Sequence, residues 1–222
     1  MDWREEEAIE YIKDNLSLID SNNFTSFYNN LYMGVRGNVT SLLLEAGINP
    51  LLYMDNIPAC YQRHQKNIES INIPNKIKTI GVYAFEGCTS LTNITIPDSV
   101  TSIGGYAFYN CTSLTNITIG NSVTSIGVWA FGGCKSLTSI IIPDGVTSIG
   151  DDAFYNCSSL TSVTIGNSVA SIGGWAFYYC TSLKTINYKG SKEQWNLINK
   201  GPKWKYNSSI KTIHCTDGDV KI

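Results

Sequence analysis

Histidine is nearly absent from this chain: its 222 residues include only His64 and His214, and charged side chains make up only 15% of the total. A cysteine–histidine nucleophile pair would need one of these two imidazoles beside a reactive thiol. His214 does adjoin Cys215, but successive residues of a strand point to opposite faces, which parts the two groups. No apolar run approaches the roughly 18 residues of a membrane-spanning helix. The opening Met1-Asp2-Trp3-Arg4-Glu5-Glu6-Glu7 has neither a basic nor an apolar segment, so it does not read as a secretory leader. A cytoplasmic location is therefore expected. Net charge is −2, which gives no general basic field to attract nucleic acid. No glycine-rich loop leads into Lys-Ser or Lys-Thr, so the usual phosphate cradle is missing. The expectation is a chain that is not an enzyme and carries no cofactor.

What the sequence does contain is repetition. Five consecutive units begin at Ile80, Ile103, Ile126, Ile149 and Ile172, each 23 residues after the last. Each unit carries a phenylalanine (Phe85, Phe108, Phe131, Phe154, Phe177) and a leucine (Leu91, Leu114, Leu137, Leu160, Leu183). Five of the seven cysteines share one repeat position: Cys88, Cys111, Cys134, Cys157 and Cys180. A partial unit precedes them, through Ile68, Ile71, Ile73 and Ile77. The turn after the strand alternates between Pro97-Asp98-Ser99 and Gly120-Asn121-Ser122, then Pro143-Asp144-Gly145 and Gly166-Asn167-Ser168. Both versions carry turn chemistry, one through the fixed φ of Pro and the other through the freedom of Gly and Asn.

One unit is easily decoded. Leu91, Ile94 and Ile96 have strand spacing and point inward, leaving Asn93 and Thr95 outside. Val100 and Ile103 return apolar groups to the same interior, and Ala107-Phe108 with Cys111 suit a short helical turn closing the coil. Burying such groups stabilises by roughly 1.5–3 kcal/mol each. Ordering the backbone costs roughly 1–2 kcal/mol per residue, so one unit cannot fold alone and stacked units can. The cysteine column places one thiol per coil, roughly 5 Å apart as neighbouring strands are. Zinc sites need four convergent ligands, so no metal is expected and the thiols read as small buried hydrophobes. Free thiols favour a reducing compartment.

The pattern Ile-Gly-x-x-Ala-Phe-x-x-Cys-x-Ser-Leu-Thr-x-Ile-x-Ile-Pro/Gly resembles the BspA-like leucine-rich repeat, over residues 68 to about 188. The run from Tyr188 to Trp195, with Thr212-Ile213-His214-Cys215 at its far end, is similar to the tail that closes such arrays. The resemblance implies an α/β repeat solenoid, a right-handed leucine-rich-repeat coil with a helical N-terminal cap and a helix-strand C-terminal cap. It also implies protein binding, since such proteins are commonly bacterial surface proteins that bind host proteins or mediate adhesion. The leaderless start departs from that surface pattern.

Three segments are expected: 1–66 as a helical N-terminal cap or docking domain, 67–188 as the repeats, and 189–222 as a C-terminal cap. In the first, Ile9, Ile12, Leu16 and Ile19 share a helical face, and a second helix carries Phe24, Phe27, Tyr28 and Leu31. A third spans about 39–46, and Asn49 caps another start with Pro50 at its first position. In the last, Ser191 and Gln194 form a capping box for a helix to about Lys200, stopped by Gly201-Pro202. Residues 210–215 add a final strand over the exposed edge. Charge is uneven. Residues 80–183 carry Lys135 against five carboxylates, and residues 184–222 carry eight lysines against three. An ordinary solvated cap accounts for the basic tail better than nucleic-acid binding does.

Two outward columns are candidate partner-binding sites. The strand face offers Asn116, Thr118, Ser139, Ile141, Ser162 and Thr164, with Ile141 breaking a polar surface at its centre. The other column precedes Ala-Phe: Tyr83, Tyr106, Trp129, Asp152 and Trp175, with Tyr109, Tyr155, Tyr178 and Tyr179 nearby. Aromatic groups on a rigid edge are typical interface anchors, can stack on sugars, and can equally pack against neighbouring coils. The functional expectation is a non-catalytic scaffold that binds, sequesters or inhibits an intracellular protein. A phage or mobile-element origin fits such a compact, leaderless chain. The alternative is a cell-surface or virion adhesin for host protein or glycan. Oligomeric state is left open.

Overall fold

Two kinds of strand alternate along the chain because two apolar spacings do. The computed structural model describes residues 50–59, 61, 62 and 65–222, with Glu10, Asp14, Val39, Thr40, Leu43 and Leu44. Ser-Ile pairs make two-residue strands on one side: β1 (Asn56–Ile57), β3 (Thr79–Ile80), β5 (Ser102–Ile103), β7 (Ser125–Ile126), β9 (Ser148–Ile149), β11 (Ser171–Ile172) and β13 (Asn199–Lys200). These form one seven-stranded parallel sheet, the back sheet, in that order. On the front, β-branched residues alternate with Asn, Thr and Ser in β2 (Ser70–Asn72), β4 (Asn93–Ile96), β6 (Asn116–Ile119), β8 (Ser139–Ile142), β10 (Ser162–Ile165) and β12 (Thr185–Tyr188). Ile94 and Ile96 are buried while Asn93 and Thr95 are exposed, as the spacing predicts. Register advances by one repeat, so Ser162 lies opposite Ser139 and Ile165 opposite Ile142.

The front does not form a continuous sheet. It divides into β2-β4-β6 and a five-stranded group that begins at β8, and among the described residues no ladder joins β6 to β8. Gly166 donates its N–H to the Ile142 carbonyl at 3.0 Å, and Lys189 donates to Ile165 at 2.9 Å. Pro143 occupies the equivalent position opposite Ile119 and has no N–H to donate. Ile117, behind this seam, is only partly buried, whereas Ile94 and Ile140 are closed off.

Inside the coils, side chains of one type stack on themselves. Phe85, Phe108, Phe131, Phe154 and Phe177 form a spine with centroid spacings of 5.2–5.5 Å. Tyr61 closes one end edge-on at 6.0 Å and Trp204 the other at 6.2 Å. Close stacking requires glycine between the back strands and the coil's return. A Cβ on Gly127 would lie 2.5 Å from the Gly105 nitrogen, so no other residue fits there.

The segment around Ala-Phe is not the helical turn expected from the sequence. Bonds such as Tyr109 N–H to the Tyr106 carbonyl (3.1 Å) start a turn. Left-handed residues then interrupt it twice per coil, at Tyr83, Tyr106, Trp129, Asp152 and Trp175 (φ 52° to 59°), and again at Gly87, Asn110, Gly133, Asn156 and Tyr179. The reversal aims these N–H groups at the next coil: Tyr106 donates to Val128 at 2.9 Å and Trp129 to Asp151 at 2.9 Å. Inter-coil hydrogen bonding has displaced helix formation, so the repeats are β and turn only.

At the N-terminal end, Val39, Leu43, Leu51, Met54, Ile57 and Tyr61 join the same core as the repeats, and Thr40 Oγ1 donates to the Tyr61 carbonyl at 3.0 Å. Pro50–Tyr53 is a 3-10 turn that starts at the expected proline. The helical faces expected around Ile9 to Ile19 and Phe24 to Leu31 lie outside the described residues. Strand β1, inside the segment 1–66, already belongs to the back sheet. At the C-terminal end the Ser191–Gln194 capping box forms, but the helix is Lys192–Leu197 and does not reach Lys200. Asn199 and Lys200 instead pair with Ser171 and Ile172 as β13. Strand β14 (Thr212–Cys215) extends the front sheet beside β12, and β15 (Gly218–Lys221) folds back antiparallel to cover its edge.

Candidate binding surfaces

The left-handed positions place the aromatic column on the outer edge of the coils. Tyr83 and Tyr106 stack at 4.8 Å, and Tyr106 and Trp129 at 6.0 Å with planes 7° apart. Trp129 meets Tyr155 at 4.6 Å, Tyr155 meets Tyr178 at 5.5 Å, and Tyr178 meets Tyr206 at 5.6 Å. The structure thus brings together three of the four aromatic candidates in one ribbon of rings. Trp175 stands apart. It is 38% exposed and, among the described residues, stacks on no ring.

The gap beside Trp175 is Asp152. Burial lifts its carboxyl from the ordinary 3.8 to about 6, and the neighbouring Asp151 charge adds to the rise. The Tyr106 phenol is also raised, first by burial and then by charges that include Asp152. Asp151 accepts the Gly174 N–H at 2.7 Å. The column already contained Asp152 in the sequence, but its burial was not visible there. Tyr206 was missed as a ribbon member. The helix inserts residues ahead of the last coil, so cap and repeat correspond at a 28-residue offset instead of 23, as in Ser209 Oγ to the Thr181 carbonyl.

The strand-face candidates occupy the outward positions expected. Asn116, Thr118, Ser139 and Ile141 are exposed, while Ser162 and Thr164 are half-buried. Ile141 leaves 62% of its surface in solvent. Near Thr95 and Thr118 a shallow groove of about 590 Å³ opens above Pro97, Asp98 and Asn121. The Asp98 carboxylate accepts the Asn121 N–H there at 2.6 Å, so its wall is tied together.

The five ladder thiols are packed and committed. Each Sγ–H donates to a carbonyl of the preceding coil, as Cys111 does to Phe85 at 3.2 Å and Cys157 to Phe131 at 3.1 Å. Burial pushes the Cys88, Cys134 and Cys180 thiols up to about 12. Thiols so protonated are poor metal ligands and poor nucleophiles. His64 lies outside the described residues. The His214 ring is bound to Asp219 (Nδ1 to Oδ1, 2.7 Å) on the antiparallel β15 strand, and Cys215 points elsewhere.

These features define a leucine-rich-repeat solenoid with an aromatic and thiol-lined interior and two distinct outer surfaces. The chain belongs to the family of the BspA type leucine rich repeat region, which matches residues 56–184 and 101–219 in six copies. No match was found among curated proteins. Among solved structures, the chain is similar to a leucine rich cell surface protein from Faecalibacterium prausnitzii, with 43% identity and a TM-score of 0.59 over 61% of this chain and 36% of that one. It is similar to the T. pallidum leucine rich repeat protein, with 29% identity and a TM-score of 0.56 over 67% and 73%. A leucine-rich repeat protein from Eubacterium ventriosum gives 25% identity and a TM-score of 0.63 over 75% and 48%. The chain therefore spans 36% of the Faecalibacterium structure and 48% of the Eubacterium one. No helix among the described residues is long and apolar enough to cross a membrane.

Proposed function

We propose that this chain is a non-catalytic protein-binding scaffold displayed at a cell surface, with the aromatic edge as its contact face. One observation carries the contact face: bulky side chains are held in left-handed backbone, where each costs about 1–3 kcal/mol, and Trp175 gains no ring contact in return. Such strain marks functional positions when packing does not repay it. The coils are rigid through the Phe spine and inter-coil bonds, which limits the ordering cost of association. The similarity to a leucine rich cell surface protein favours surface display over the cytoplasmic location expected from the opening residues. Free thiols are the main argument for an intracellular target, and their burial protects them equally outside the cell.

Two measurements test this reading. Protease treatment of intact cells should degrade the chain, and a protected cytosolic pool would restore the intracellular reading. Capture from host protein extracts should yield a protein held by the wild type and lost by a folded Trp129→Ala/Trp175→Ala variant. Equal capture by both would move the contact to the strand face around Ile141.

A further inference from the structure

The aromatic column is broken at one place, and the break is charged. Asp152 stands between Trp129 and Trp175 and gives its N–H to the Gly174 carbonyl at 2.9 Å, which sets its coil against that of Trp175. Asp151 is next to it, and among the described residues neither carboxylate has an ion-pair partner. Two adjacent like charges, one half-buried among rings, favour a cation brought from outside. The repeats have little to supply, because Lys135 is the single basic residue between positions 80 and 183.

A groove of about 390 Å³ runs from this point across β9, β11 and β13. Its walls are largely glycine backbone, with Val128 and Pro202 at its rims and Asp151 as the one charged side chain lining it. Lys200, on β13, is turned away: its Nζ donates to the Trp195 and Ile198 carbonyls at 2.6 and 2.9 Å. Lys203, next in the column after Trp175, lies over the Tyr206 ring at 5.4 Å, and Lys200 lies over Trp195 at 4.9 Å. The cap thus already places its own cations on aromatic faces.

We propose that this groove receives an extended segment of a partner protein carrying an arginine, whose guanidinium pairs with Asp151 and Asp152 and stacks on Trp175. The assignment rests on the scaffold reading and adds the chemistry of the partner to it. Arginine fits better than lysine, because a planar guanidinium can both fork across carboxylates and lie flat on an indole. A groove walled by backbone suits an extended chain, and the absence of a lysine on its lining leaves the carboxylate charge unopposed.

The test uses the full chain and a fluorescein-labelled Gly-Ser-Arg-Gly-Arg-Ser-Gly peptide, with anisotropy read at physiological ionic strength. A peptide of the same length with citrulline for arginine keeps the shape and removes the charge. The arginine peptide should bind, and citrulline should weaken binding by about tenfold or more. Asp152→Asn, Asp151→Asn and Trp175→Asn should each cause a loss of similar size, while Asp144→Asn, the same charge change elsewhere on the repeats, should leave binding intact. Asn tolerates left-handed backbone, and thermal unfolding of each variant confirms its fold. Equal binding of the citrulline peptide, indifference to Asp152→Asn, or no binding of the arginine peptide would overturn the assignment. Binding of a neutral oligosaccharide lost in Trp175→Asn but kept in Asp152→Asn would overturn it in favour of a sugar platform. An inert peptide with intact protein capture by the edge would remove the arginine site and leave the scaffold reading standing.

Discussion

The Cys134 thiol donates to the carbonyl of Phe108, 26 residues earlier, at 3.2 Å. The same bond recurs along the column, so the cysteines form a hydrogen-bonded ladder beside the Phe spine as well as filling space. A thiol is small enough for the position and carries the one donor the carbonyl can use.

Reactivity follows from that placement. Deprotonation of Cys134 is opposed by burial, which lifts the thiol to about 12, far above the pH of ordinary labelling. Iodoacetamide at mildly alkaline pH should leave Cys88, Cys111, Cys134, Cys157 and Cys180 unmodified in the native protein and modify all five in denaturant. Peptide mass spectrometry distinguishes them from the half-exposed Cys215. Native labelling of Cys134 as fast as Cys215 would show that the ladder opens.

Stability should be concentrated in the ring spine. Phe131 stacks on Phe108 at 5.3 Å and on Phe154 at 5.5 Å, so Phe131→Ala opens a cavity between two coils and interrupts both contacts. The expected loss is about 3–5 kcal/mol, read from urea unfolding. Neighbour-coupled coils should also lose cooperativity, since a broken middle coil separates the two halves. A loss below about 1 kcal/mol would mean that the spine is ornamental.

Asp152 makes stability depend on pH in a particular direction. Its carboxyl titrates near 3.8 when unfolded and at about 6 in the fold, so between those values the native state holds more protons. Stability therefore falls as pH rises through that window. Asp152→Asn removes the desolvated charge and keeps the left-handed turn. Its melting temperature should exceed that of the wild type at about pH 7.5 and converge with it near about pH 4. A difference independent of pH would show that the charge is not the cause.

The coil was legible in the sequence because spacing determines it. Ile94 and Ile96 at alternate positions and Phe85, Phe108 and Phe131 at equal intervals leave one way to share an interior. Ser191 and Gln194 likewise announced their helix. Its end was misjudged because Asn199 and Lys200 are claimed by pairing with β11, a long-range demand that local pattern does not carry. The closing turn was misread for a related reason. Ala107-Phe108 with Cys111 has helical spacing, but Tyr106 and Asn110 adopt left-handed backbone to bond the next coil, and nothing in Tyr or Trp favours that conformation. The edge itself was legible as a column of aromatic residues. The isolation of Trp175, the half-buried charge of Asp152 and the membership of Tyr206 depend on neighbouring coils, so they were not.

The central claim is that Trp175 is kept for a partner and not for the fold. Its left-handed backbone (φ 52°) penalises a bulky residue, and its ring is 38% exposed. The most direct measurement pairs urea unfolding with partner binding on the same preparations of wild type and Trp175→Asn. Stability that is unchanged or raised by about 1 kcal/mol, together with loss of binding, is the predicted result. Lowered stability with binding unchanged would make Trp175 a packing residue and contradict the aromatic edge as the contact face.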